Sequence, residues 1–97
     1  MADEPRVFLA VTLRRDALDV HPQTWERDAP AWWRPRIGEW VEPNGESGNT
    51  YQVEAVTWIQ DGIVIELEYT IGIGAPQSRW DEAYESLRND GFAAEPE

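Results

Sequence analysis

The stretch from Thr50 to Ile71, TYQVEAVTWIQDGIVIELEYTI, decides the fold. Its two arms are rich in β-branched and aromatic residues, and Asp61-Gly62 stands between them, the signature of a β-hairpin. A glycine after Asp supplies the positive φ that tight hairpin loops use. Two registers compete. A two-residue loop pairs Gln60 with Ile63 and sets Thr57 against Glu66 and Ala55 against Glu68. A three-residue loop, with Gly62 in the bulge position, pairs Ile59 with Ile63. It gathers Tyr51, Val53, Ala55, Thr57 and Ile59 on one face with Ile63, Ile65, Leu67, Tyr69 and Ile71. A slip of one residue scatters that set over both faces, so the bulged register is the expected one. It places Glu54 opposite Glu68, and like charges across a pair are destabilising.

Working outward, Arg6–Leu13 (RVFLAVTL) is short, apolar on both alternating faces and rich in β-branched residues, which predicts a central strand. Residues 14–35 are harder to read. His21-Pro22 disfavours helix at His21, Pro22 is suited to open a helical turn over Gln23–Glu26, and Pro30 and Pro35 bracket Ala31-Trp32-Trp33-Arg34. A connection this long without regular structure is either pinned by its aromatics or functional. A short strand is expected at 37–42, followed by the polar, glycine-rich and therefore mobile loop NGESGNT. In Gln77–Phe92, Trp80, Ala83, Tyr84 and Leu87 form an apolar stripe, which predicts a helix over 79–90. Ser78 is the expected N-cap, with Asp81 completing a capping box. Gly91 suits the left-handed position after the last turn, bringing Phe92 onto Leu87. The expected fold is α+β, a curled, barrel-like antiparallel sheet of about four strands with this helix packed on it.

Ninety-seven residues make one domain, with residues 1–5 and 93–97 read as loose tails. Such a chain buries roughly 60% of its unfolded surface, enough for a core without staples. There are no cysteines, hence no disulfide and no thiolate metal site, which points to a cytoplasmic or virus-internal setting. The opening MADEPR carries no apolar signal region, and no run approaches the ~20 apolar residues of a membrane span. The net charge is −11, and all 8 basic residues are Arg. A GC-rich genome or a high-salt cytoplasm accounts for that bias. The sharper, less favoured reading is that the negative surface is used, repelling nucleic acid and attracting a basic protein groove. Direct nucleic-acid binding is disfavoured, since no basic patch with interleaved aromatics exists.

The six tryptophans are many for this length. Each can bury on the order of 150–250 Å², and the core need not absorb all of them. Trp25, Trp32 and Trp33, with Arg34, form the expected partner-binding loop. Adjacent Trp32 and Trp33 cannot both face one core direction, and Trp is enriched among interface hot spots. Glu54, Glu66 and Glu68 form an expected acidic face, relieved by an arginine such as Arg14 or Arg36. They lack the nucleophile or second base that acid/base chemistry requires. His21, the single histidine, has no serine or cysteine motif to serve. No catalytic residue, metal site or cofactor is therefore expected.

The run PRIGEWV…YQVEAVTW…GIVIELE, within residues 35–68, is similar to the strand pattern of small β-barrels such as SH3-like domains and small phage head-completion proteins. Strand alternation and turn glycines alone produce it, so no functional residue is carried over from it. The expected function is a small non-enzymatic module that binds a protein through the Trp-rich loop and the acidic face. The alternatives are an acidic, nucleic-acid-mimicking inhibitor of the anti-restriction or anti-CRISPR type, and a head-completion-like structural protein. A carbohydrate-binding module or small enzyme using Trp as a stacking platform ranks below these. Homo-oligomerisation is compatible with the same surfaces.

Overall fold

The computed structural model describes residues 6–13, 23–69, 71 and 74–94. Six strands and one helix follow in order: β1 Arg6–Leu13, β2 Gln23–Ala29, β3 Trp40–Val41, β4 Tyr51–Ile59, β5 Gly62–Leu67, α1 Gln77–Asn89 and β6 Ala93–Ala94. They form an α+β fold with one sheet of order β3-β4-β5-β1-β2-β6. The sheet is open, not closed into a barrel, and it is mixed: β1 runs parallel to β5, and every other pair is antiparallel. The expected four antiparallel strands thus become six. β2 was missed because QTWERDA alternates charged and apolar residues too weakly to announce a strand. The helical turn expected over Gln23–Glu26 is strand instead. Ala93 and Ala94, expected to fray, pair with Glu26 and Trp25. Residues 14–22, including Arg14 and His21, lie outside the described residues.

β1 is central, as its apolar character on both faces predicted. Val7, Leu9, Val11 and Leu13 are buried on one face, in register with Ile63, Ile65 and Leu67 of β5 and with Trp25 of β2. α1 lays Trp80, Ala83 and Leu87 on this face. Among the described residues, no helix is long and apolar enough to cross a membrane.

The hairpin adopts neither register expected from the sequence. Ile59 pairs with Gly62, so Gln60 and Asp61 are the turn residues, and the irregularity falls inside β4. Val53 pairs with Leu67 and Ala55 with Glu66, leaving Glu54 as an extra residue. Period-2 alternation alone cannot put Val53 and Val56 on the same face, and one inserted residue restores their common direction. Tyr51 and Val53 therefore face the core before the bulge, and Val56 and Trp58 share that face after it. The Glu54–Glu68 repulsion foreseen across the pair does not arise in that form, because the bulge removes Glu54 from the ladder.

Gly62 also plays a different part from the one expected. Its φ is not positive. A Cβ built on it would come 2.1 Å from the carbonyl oxygen of Arg6, so glycine is required where β5 meets the start of β1. At the helix, Ser78 is not the cap. α1 begins at Gln77 with Pro76 in the N-cap position and no side-chain cap hydrogen bond, and Asp81 instead accepts from Gln77 Nε2 at 3.0 Å. The other end follows expectation. Gly91 has φ +88°, and the Phe92 N–H donates to Leu87 O at 2.9 Å and the Gly91 N–H to Arg88 O at 3.0 Å, the two bonds of a Schellman motif.

Gly62→Ala is expected to destabilise the protein by about 1–3 kcal/mol, since the added methyl meets backbone that cannot yield. Gly45→Ala, where a Cβ meets nothing within 4 Å, is expected to stay within about 0.5 kcal/mol of wild type. Urea denaturation of both variants checks this.

Candidate functional site

Packing divides the inner face of the sheet into two ends. Val11, Trp25, Val53 and Leu67 lie at the end under α1. Val7, Ile63 and Trp58 lie in one row at the other, about 13 Å away at ~3.3 Å per strand residue. α1 does not cover that second end. Trp33 does, by packing against the core from the loop after β2. Its N–H donates to Pro30 O at 3.0 Å, a turn that sends the next side chains in different directions.

Trp32 and Trp33 diverge as their adjacency demands. Trp33 is half-buried, whereas Trp32 is 78% exposed and meets Trp33 edge-on at 6.2 Å. Arg34 folds back over Trp58, with its guanidinium carbon 5.9 Å from a ring that is 67% exposed. Arg34 Nη1 is fixed there by Ala31 O at 2.7 Å and Trp33 O at 2.6 Å. Between these groups opens a mostly apolar pocket of about 180 Å³. Trp33, Arg34, Pro35 and Trp58 wall it, and Ile63 and Ile65 line its base. Its volume matches one partner side chain rather than a whole small molecule.

Trp25, the third tryptophan of the expected loop, is not there. It is 4% exposed, in the core, stacked on Tyr84 at 5.6 Å. Among the described residues its Nε1–H has no hydrogen-bond partner, an omission that costs about 1–3 kcal/mol. Trp58 takes its place at the aromatic end. Its place on the inner face was not legible, because the parity of β4 reverses at the bulge. Trp40 is also largely exposed, but it is paired with Gln52 on the opposite sheet face from Val41 and Tyr51.

Glu54, Glu66 and Glu68 do converge. With Ala10 and Thr12 they line a groove of about 340 Å³. Glu66 alternates with the buried Ile65 and Leu67, so this groove lies on the outer face, across the sheet from the aromatic pocket. Neither Arg36 nor any other described arginine pairs with the three carboxylates. Among the described residues no group of His, Cys, Asp or Glu is arranged to hold a metal ion.

The sequence reading missed one cluster altogether. Asp90, just past the last turn of α1, is 0% exposed. Its carboxylate accepts from Ser47 Oγ at 2.5 Å, from Asn49 Nδ2 at 3.2 Å and from the Tyr51 hydroxyl. Its backbone carbonyl accepts from Arg27 Nη1, which also reaches Pro43 O at 3.1 Å. Asn44 Nδ2 donates to Asn89 O at 2.9 Å. The loop expected to be mobile is thus tied to the helix end along its length. Burial and the Asp90 carboxylate push the Tyr51 phenol well above its ordinary value, and burial raises that of Tyr69. The three donors to the Asp90 carboxylate are neutral, and together with the Asn44–Asn89 bond they clamp the loop before β4 to the end of α1.

Comparison with known protein families, with characterised proteins and with solved structures finds no match.

A phenol whose value is raised on folding contributes stability below the unfolded tyrosine's 10.0, and that contribution is lost as the pH rises beyond it. Stability is therefore expected to decline above pH 10. Tyr51→Phe should flatten the decline while destabilising the protein by about 1–3 kcal/mol at neutral pH, where Asp90 loses a donor. Denaturant melts across the alkaline range test both parts.

Proposed function

We propose that the protein is a non-enzymatic binding module that takes one apolar anchor side chain of a basic protein segment into the pocket between Trp33 and Trp58. The observation that carries this is the pairing of solvent-exposed indoles at Trp32 and Trp58 with a preformed pocket held open by the fixed Arg34. Indole surface of this kind, next to a desolvated pocket, is the usual composition of an interface hot spot. The partner's basic character follows from the net charge of −11, which draws a cationic segment in over a distance set by ionic strength.

The acidic groove of Glu54, Glu66 and Glu68 faces the other way. In this reading it contributes to the long-range field and does not touch the same segment, so the Trp loop and the acidic face act as two separate surfaces. The buried Trp25 is not part of the contact.

A synthetic peptide with a central leucine between flanking arginines is the test, read by calorimetry against the same peptide with glutamates. The arginine peptide is expected to bind, with an affinity that falls as salt is raised. Trp58→Ala should weaken it at least tenfold and Trp32→Ala several-fold, with the thermal melt of Trp32→Ala unchanged. Equal binding of the acidic peptide, or wild-type affinity in both variants, overturns the reading.

A further inference from the structure

A second pocket lies beyond the covered end of the inner face, between β2, the last turns of α1 and β6. It is open, with a volume of about 740 Å³, and it is lined by Gln23, Trp25, Tyr84, Arg88, Phe92 and the alanines of β6. Tyr84 and Arg88 are one helical turn apart and so project on one face of α1. Tyr84 stacks on Trp25 with the rings 20° from parallel, and the Arg88 guanidinium carbon stands 5.7 Å from the centre of the same indole. One wall is therefore flat and aromatic, with a cation at its rim.

The hydrogen-bonding groups of this pocket are unbalanced. Arg88 offers only donors, and it has no carboxylate partner among the described residues. The Trp25 indole N–H is a further donor, buried and without an acceptor among the described residues. Gln23 and Tyr84 each donate as well as accept, and neither carries a charge. Among the described residues no Asp or Glu lines the pocket, although the chain carries 19 acidic residues. What these groups lack is a negatively charged acceptor. A planar carboxylate presents two in-plane oxygens, the geometry a guanidinium matches best. Ala93 and Ala94 leave an apolar surface for the body of the ligand.

We propose that this pocket binds a small aromatic carboxylate, with its oxygens on Arg88 and the Trp25 N–H and its ring against Tyr84 and the alanines of β6. The site is separate from the Trp33–Trp58 pocket and does not depend on the function assigned to it.

The test is an NMR titration of the ¹⁵N-labelled full chain with sodium benzoate. The Trp25 indole signal is assigned by its absence in Trp25→Phe. The expected result is a saturable downfield shift of that proton as it gains an acceptor, with at least tenfold weaker binding in Arg88→Gln and a smaller loss in Gln23→Ala. Arg34→Gln should bind as wild type does, and benzyl alcohol should leave the indole proton in place. No saturable shift with benzoate, the same shift with benzyl alcohol, or undiminished binding in a folded Arg88→Gln variant overturns the proposal.

Discussion

A buried carboxylate at the end of the helix holds this molecule in register. Removing a carboxylate from water is affordable only where donors replace the water, and Asp90 is given them by Ser47, Asn49 and Tyr51. Each donor belongs to the loop before β4 or to the first residue of β4 itself. The backbone carbonyl of Asp90 meanwhile takes Arg27 of β2. One residue thus joins α1 to both flanks of the sheet, and the Schellman turn that follows turns Phe92 into the core against Tyr51. The position of α1 over one end of the inner face follows from these bonds.

That position determines what remains uncovered. A single helix of 13 residues is about 20 Å long at 1.5 Å per residue, and six strands present more inner face than it can cover. At the far end Trp33 supplies a partial lid. Trp58 is left at the margin, because the bulge at Glu54 has turned it toward the inner face at the end that α1 does not reach. The exposed aromatic surface is therefore a consequence of two constraints acting together: the parity change in β4 and the limited reach of α1.

The same geometry separates charge from aromatic surface. Glu66 and its neighbours occupy the outer face, where α1 does not pack, and the aromatic pocket occupies the inner one. A −11 chain can attract a basic partner from any direction, but short-range contacts at the two faces belong to different encounters. The β2–α1–β6 pocket adds a third surface of opposite local character, with arginine and indole donors in a predominantly acidic molecule.

Local patterns in the sequence settled much of this. The central strand, the existence of the hairpin, the apolar stripe of α1 and the glycine-dependent end of the helix each rest on residues near one another in the chain. Physics acting over a few residues is enough for them. The divergence of Trp32 and Trp33 belongs here too, since adjacent side chains cannot share a direction. Contacts between distant segments decided the rest. The hairpin register depended on a bulge whose benefit appears only once Val53 and Val56 have a common core to face. The role of Gly62 depended on β1 arriving beside it. Trp25 was claimed by Tyr84 from the far end of the chain, and Asp90, unremarkable in its local run, became buried only because a loop some forty residues earlier brought its donors. These are pairings at long sequence separation, and no periodicity records them.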